Sequence, residues 1–430
     1  MGRYYAAPRF LCDLLALRRN IRRKRSELVA LQEKRLRAIV RHAYATVPFY
    51  HRLLNTHNIN PTEIRTVDDL EKLPMITKRE VQENLGDMFS RQVGVSKCIA
   101  QKTSGSMGVP LTILKDRNAL NFQHAVSFRQ SFECGERLRD KVAQVRWTGS
   151  ASVPRSTRKP FYEHLGFLRN TWVSADQFSL EGIVDLLNQY EPDVIVSYPG
   201  ILQMVVESAK NKMSSRLVFS TGEILSEHMH ALISEFFGAR VIDSYGCVET
   251  GDIAWECPQG HGGYHMNIDS VVVEFVRSGE NVAAGEDGEI VLTNLFNYAM
   301  PLIRYRIGDV GSPSGEECSC GRTLPLMRSL RGRRNDFVVL PDGRKLSPWF
   351  FWNMIDLTGV SEFRIVQEKR NVVRVWLRIA GRYEKDQAER TAAGLRSVFG
   401  DEVNTMIEIV DELPQDHSGK LRCVISNVSG

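Results

Sequence analysis

Nowhere in the 430-residue chain do about 18 apolar residues follow one another, so a membrane-spanning helix is excluded. The first residues carry short apolar runs between arginines, without the long apolar stretch or small-residue cleavage site of a secretory leader. The expected location is therefore the cytoplasm. Cysteine is sparse: eight residues, at 12, 98, 134, 247, 257, 318, 320 and 423. Without a secretory leader they do not read as a disulfide framework. Internal repeats and low-complexity tracts are absent, and so is the Gly-Lys-Ser/Thr ending of a Walker A loop.

The chain is 43 % hydrophobic and 25 % charged, the profile of a globular protein with a large core and more than one domain. The formal charge of +5 is unevenly spread. Residues 1–50 hold twelve Lys/Arg against Asp13, Glu27 and Glu33, a net +9, which leaves −4 for the rest. A basic helical lead of this kind suits either contact with anionic lipid or a solvated helix face packed on the body. With no aromatic stacking platform after it, nucleic acid is not an expected partner.

Helical spacing runs over 10–56, through Leu14, Leu15, Leu17, Leu28, Leu31 and Leu36. From 142 to 243 strands and helices alternate: strands at 142–147, 193–197, 216–220 and 241–243, with helices at 180–190, 201–210 and 226–237. That alternation predicts βαβ crossovers and a parallel sheet, with ligands at the carboxyl ends of its strands. Strand-like runs at 270–276, 289–294 and 302–307, joined by turns such as Glu286-Asp287-Gly288, predict a smaller antiparallel sheet or barrel. The tail has strands at 363–367 and 372–379 and a helix at 385–399. The expected fold is α/β, a large N-terminal domain with a doubly wound, mostly parallel sheet plus a small β region, followed by a small mobile α+β C-terminal lid. The expected divisions are 1–45, a basic helical segment; 46–334, the large domain; and 335–430, the lid.

Four constellations carry chemistry. Thr103-Ser104-Gly105-Ser106-Met107-Gly108 offers free backbone N–H groups and hydroxyls to a phosphate. Asp243-Ser244-Tyr245-Gly246-Cys247-Val248-Glu249 puts an aromatic ring and a carboxylate beyond a parallel strand. Tyr305-Arg306-Ile307-Gly308-Asp309 ends a strand in an aspartate able to accept two ribose hydroxyls. A turn ending in Ser418-Gly419-Lys420 presents one lysine near the C-terminus. Each alone is commonplace.

In this order and spacing, with Arg37–Tyr50 and His51 as an N-terminal signature, they resemble the adenylate-forming superfamily over about residues 35 to 425. Within it the chain is similar to the short phenylacetate–CoA ligase-like branch, with its coenzyme F390 synthetases and capsule-biosynthesis relatives. The resemblance implies that Thr103, Ser104, Gly105, Ser106 and Gly108 hold the ATP phosphates. It implies that Ser220, Thr221, Gly222 and Glu223 border the adenine, that Tyr245 and Gly246 stack it, and that Glu249 binds Mg²⁺. Asp309, helped by Arg333, takes the ribose. Asn335 and Asp336 form a hinge, and Lys420 reaches the reacting carboxylate and the α-phosphate. Two anions must meet in such a reaction, so positioning and positive charge matter more than a base. Ser106, Met107 and Val109 replace family threonines and a lysine, and Val248 and Ile307 each replace a threonine. Phosphate binding then leans on backbone and hydroxyls.

Cys257 with His261, and Cys318 with Cys320, form two short pairs suited to a closed, structural Zn²⁺ site, His265 competing as fourth ligand. Reduced thiols without a metal are the alternative. His124 on a helical run, and Tyr198 with Pro199 after a strand, are candidates for the acid pocket; a packed histidine and a plain turn are the alternatives.

The expected activity is ATP-dependent formation of an acyl-AMP from an aryl or arylacetic acid, then transfer to coenzyme A. Three rivals stay open: the same chemistry with transfer to an amine or carrier-protein thiol or adenylylation of a phenol; a non-catalytic membrane-associated scaffold; and a P-loop kinase or ATPase, disfavoured by the missing Gly-Lys-Ser/Thr.

Overall fold

The computed structural model describes residues 8–103, 111–146, 161–175, 177–260, 262–330, 338–342, 345–346, 355, 360–379, 383, 385–400, 402–411, 413 and 424–428. The chain divides into two compact units, one of residues 1–101 and 113–332, the other of 102–112 and 333–430.

The first unit begins with helices α1 (Pro8–Asn20), α2 (Arg25–Thr46), α3 (Pro48–Thr56) and α4 (Lys78–Glu83). Pro48 opens α3, where its missing N–H costs nothing. Thr77 and Glu80 form a reciprocal capping box on α4. A five-residue 3₁₀ turn, Asp68–Lys72, precedes α4. Strands β1 (Ile99–Lys102) and β2 (Thr112–Lys115) pair, and β2 leads through the N-cap Asp116 into α5 (Arg117–Glu133). The apolar face of α1 (Phe10, Leu14, Leu17) packs on Ala119, Phe122, Ala125 and Val126 of α5. A buried ion pair, Arg129–Asp269 at 2.7 Å, reinforces this junction, and the Asn20 amide donates to the same carboxylate at 2.9 Å. The basic lead is thus packed on the body.

The alternating middle follows as β3 (Lys141–Arg146), α6 (Phe161–His164), β4 (Arg169–Ser174), α7 (Leu180–Tyr190), β5 (Val194–Ser197), α8 (Pro199–Ser208), β6 (Leu217–Thr221), α9 (Glu227–Phe237) and β7 (Arg240–Cys247). Strands β4, β3, β5, β6 and β7 are parallel neighbours in that spatial order. Their apolar side chains and those of α7, α8 and α9 form one core, including Ile183, Leu187, Ile195, Leu202, Val218, Ile233 and Phe237.

Then come β8 (Gly251–Glu256), β9 (Tyr264–Met266), β10 (Val271–Arg277), β11 (Glu280–Asn281), β12 (Gly288–Asn294), β13 (Tyr305–Pro313) and β14 (Leu326–Leu330). All are antiparallel to their neighbours. The smaller β region, expected as an antiparallel sheet or barrel, is antiparallel and continuous with the parallel strands, making one 12-stranded sheet in the order β11-β10-β12-β13-β14-β9-β8-β7-β6-β5-β3-β4. The sheet is parallel at one end only, because hairpin-length links after Cys247 leave no room for crossover helices.

The second unit holds β15 (Val338–Val339) paired with β16 (Lys345–Leu346), and a four-stranded sheet of β17 (Val360–Lys369), β18 (Val372–Ile379), β19 (Asn404–Val410) and β20 (Val424–Ser426). Helix α10 (Lys385–Phe399) contributes Leu395 and Phe399 to a core with Phe363, Ile365, Val373, Val375 and Leu377. Among the described residues no helix is long and apolar enough to cross a membrane.

Candidate active site

Three consecutive parallel strands end at the same edge of the sheet, and the sequence-selected segments follow them. After β5, Tyr198 lays its ring against Gly222: a Cβ there would come 2.5 Å from Tyr198 Cε1. Gly222 also sits at φ +80°, so both space and backbone call for glycine. Next to it the Gly200 N–H donates to Glu223 Oε2 at 2.9 Å. The expected pocket segment, with buried Pro199, therefore meets the expected adenine border Ser220–Glu223. Ser220 is buried, its hydroxyl donating to Asp243 Oδ1 at 3.1 Å, and the Tyr264 hydroxyl donates to Asp243 Oδ2 at 2.7 Å. Burial pushes the Asp243 carboxyl up to about 6, against the pull of those two donors.

Strand β7 runs further than the sequence suggested, through Asp243–Cys247, so Tyr245 is a strand residue and not a loop residue. Its ring is 7 % exposed and its hydroxyl donates to Asp309 Oδ2 at 2.8 Å. Between β7 and β13 the sheet order places β8, β9 and β14, four steps. At about 4.8 Å per step a flat sheet would hold the two strands roughly 19 Å apart. Contact through two side chains requires the sheet to curl over this edge, the direction in which twisted strands accumulate.

Glu249 lies in the turn from β7 to β8, buried, with Oε1 accepting from the Tyr305 hydroxyl at 3.2 Å and its carbonyl accepting from Asn294 Nδ2 at 3.3 Å. Gly246 has no room for a side chain: a Cβ would sit 2.9 Å from the Gly251 carbonyl oxygen and 3.2 Å from Asp252 Cα. The neighbouring Cys247 thiol lies 3.1 Å from the Thr250 hydroxyl and burial raises its pKa, the opposite of an activated nucleophile. Tyr245 thus touches Asp309, and Glu249 is held by Tyr305 of the same strand, β13.

Of the phosphate loop, Thr103 is described: its N–H donates to the Leu111 carbonyl and its hydroxyl accepts from the Leu111 N–H, both at 2.9 Å. Ser104, Gly105, Ser106, Gly108, Arg333, Asn335, Asp336 and Lys420 lie outside the described residues, as does His261. His124 sits on α5, half-buried, and burial lowers its pKa.

The sequence reading missed Tyr305 and Tyr264, which orient the two carboxylates, and Lys115. Lys115 ends β2, is fully buried, and donates to Gln123 Oε1 at 2.6 Å and the Val248 carbonyl at 2.5 Å. Burial brings its pKa down to about 8, against the pull of the Glu249 and Asp252 carboxylates. A lone lysine after an apolar run carries no sign of burial in sequence.

A second cluster lies beside β9. Cys257, His265, Cys318 and Cys320 bring one ligand atom each to within 4.8 Å of one another. Cys257 Sγ is 3.6 Å from Cys318 Sγ, and Cys320 Sγ is 3.4 Å from His265 Nε2. A tetrahedral zinc with Zn–S of about 2.3 Å has sulfur–sulfur edges of roughly 3.8 Å, so the donor set and spacing fit that ion. His265 supplies the imidazole in this arrangement. Burial lowers its pKa to about 4, keeping the ligand form neutral, and Nδ1 faces the Leu324 carbonyl at 3.5 Å.

A family model described as the CapK C-terminal domain matches residues 338–427. A phenylacetate-coenzyme A ligase of Thermus thermophilus is 28 % identical over 332 residues, 74 % of this chain and 72 % of that protein. Protein CapK of Staphylococcus aureus is 22 % identical over 426 residues, 94 % of this chain and 91 % of that one. A solved 2-hydroxyisobutyryl-CoA ligase, in complex with 2-HIB-AMP and CoA in the thioesterification state, superposes with TM-score 0.67 at 20 % identity, covering 95 % of this chain and 91 % of that one. The same ligase in the postadenylation state gives 0.63 at 20 % identity, again over 95 % and 91 %. The fold, a large sheet with a smaller C-terminal one, is that of adenylate-forming CoA ligases.

Proposed function

Since the chain is a homologue of the phenylacetate-coenzyme A ligases and of CapK, we propose that it is an ATP-dependent acid–CoA ligase. It joins a carboxylate to the α-phosphorus of ATP, releases pyrophosphate, and passes the acyl group from AMP to the thiol of coenzyme A. An aryl or arylacetic acid is the proposed substrate. The observation that carries this reading is that Tyr245 of β7 and Glu249 just beyond it both hydrogen-bond to β13, the one to Asp309 and the other to Tyr305.

In this assignment the Tyr245 ring packs on adenine beside Ser220–Glu223, and Asp309 accepts the ribose hydroxyls. Glu249, a hard oxygen donor already oriented by Tyr305, suits Mg²⁺, which when bound supplies positive charge at the phosphate oxygens. Thr103–Gly108 cradles those phosphates. Lys420, on the smaller unit, brings an ammonium to the reacting carboxylate, and Asn335-Asp336 is the hinge that carries it in for adenylation and out for thioester formation. His124, Tyr198 and Pro199 line the acid side. Cys257, His265, Cys318 and Cys320 hold a structural zinc in the reducing cytoplasm, where the thiols stay unbridged. The outward face of α1 exposes Leu11 and Leu15, 55 % and 56 % accessible, beside Arg18 and Arg19, and would rest on an anionic bilayer surface. Sedimentation with anionic but not neutral vesicles checks that contact.

Pyrophosphate exchange into ATP across a panel of carboxylic acids tests the reading. One acid class, with arylacetic acids foremost, should stimulate exchange, and Lys420→Ala should abolish most of it. AMP release should then require coenzyme A. Release without it, supported by an amine or a phenol, would favour the rival acceptors, and exchange equal in both proteins would remove Lys420 from the chemistry.

A further inference from the structure

The turn that carries Glu249 is gripped from three sides. Tyr305 holds the carboxylate and Asn294 the carbonyl of Glu249 itself. The third grip comes from beneath: the fully buried ammonium of Lys115 donates 2.5 Å to the carbonyl of Val248, so it sets the plane of the peptide from which Glu249 departs. Lys115 is held in turn by Gln123, 2.6 Å away on α5. Gln123 closes the other side of the same turn, where a Cβ on Gly251 (φ +77°) would come 2.8 Å from its Cγ. Burial disfavours the charged form of this ammonium, and the nearby carboxylates of Glu249 and Asp252 oppose that effect. Lys115 also ends β2, the strand that leaves the loop expected to hold phosphate, and the neighbouring Leu114 carbonyl is fixed by Asn297 Nδ2 at 3.0 Å. A lysine buried only for packing would be a poor choice, since taking an ammonium out of water is expensive unless its partners need it.

We propose that Lys115 is a positioning residue for the cation site: by holding the Val248 carbonyl it fixes the Glu249 carboxylate where the metal of a metal–nucleotide complex must sit. The inference rests on the reading of Glu249 as the metal-binding carboxylate. Lys115 itself touches neither metal nor nucleotide.

Calorimetric titration of the purified full chain with ATP, once with Mg²⁺ and once with EDTA, separates this role from a structural one. Loss of a group that orients a metal ligand typically weakens metal-dependent binding by about 10- to 100-fold. Lys115→Met should therefore bind ATP at least about tenfold more weakly with Mg²⁺. Its metal-free affinity should stay within about twofold, the scatter expected of an unperturbed contact. Equal losses with and without Mg²⁺, or none in either, would overturn the proposal. If the Met variant does not fold, Lys115→Gln, polar but one bond too short to reach the Val248 carbonyl, gives the same comparison and must show the same selective loss. Wild-type protein that binds Mg·ATP beside a variant that binds it equally well refutes the inference alone. Wild-type protein that binds no Mg·ATP refutes the functional reading, and the inference with it.

Discussion

Replacing Tyr245 by phenylalanine keeps the ring and removes one hydroxyl, the one that donates to Asp309 at 2.8 Å. A hydrogen bond to a charged acceptor contributes about 1.5–3 kcal/mol when shielded from water. Tyr245 is buried but Asp309 is half-exposed, so the lower end, about 1.5 kcal/mol, applies. At about 1.4 kcal/mol per factor of ten, Tyr245→Phe should raise the KM for ATP roughly tenfold. The KM for the acid should stay close to wild type, because the hydroxyl meets Asp309, the carboxylate proposed to take the sugar. Tyr245→Ala, which also removes the ring, should be worse by a further factor of about ten or more, the range for base–aromatic stacking. In a cycle with Asp309→Asn, the two single effects should fail to add by about 1 kcal/mol or more, since the groups touch. Additive effects, or a Phe variant indistinguishable from wild type in KM for ATP, would refute the reasoning and detach Tyr245 from the ribose-binding carboxylate.

Metal analysis should find about one zinc per chain in wild-type protein, and Cys318→Ser should lose it along with thermal stability, because a closed four-ligand site contributes to folding. Sub-stoichiometric zinc in both proteins would reject the site. Asp243 titrates at about 6 in the folded chain against 3.8 unfolded, so the folded state holds the extra proton between those values. Its contribution to stability is present below about pH 4, declines as pH rises to about 6, and is flat beyond. Urea titrations should show wild type losing stability relative to Asp243→Asn across that window, and a constant difference would contradict the burial argument. Gly246→Ala would force the β7–β8 hairpin open against two backbone atoms, and a folded variant that has lost ATP binding is the expected outcome. Normal affinity would show that the turn tolerates displacement.

The central elements were readable because their burial is periodic. Leu180–Tyr190, Val372–Ile379 and Lys385–Phe399 end where amphipathic spacing ends. Strands β8 and β9 left no such trace: β9 is three residues long, and β8 lies between a turn and the Cys257 loop. The polar run Asp243–Cys247 looked like a loop, yet it is strand, because pairing with both β6 and β8 satisfies its backbone whatever its side chains. Charged residues at the site were visible as types at telling distances. Their partners were not: Tyr305, Tyr264 and Lys115 gain meaning only through contacts spanning 21 to 133 residues. Spacing alone also left His261 and His265 equivalent, whereas the strand β9 points His265 at Cys320.

Curling of the sheet has a mechanical result. The side chain that would read the base and the one that would read the sugar are joined by a bowed strip of β8, β9 and β14, with Trp255, His265 and Met327 wholly interior. The separation of those two side chains therefore depends on how the strip is filled. Trimming Trp255 or Met327 would leave a void inside that strip and should therefore disturb the Tyr245–Asp309 contact, and nucleotide affinity with it, from a distance.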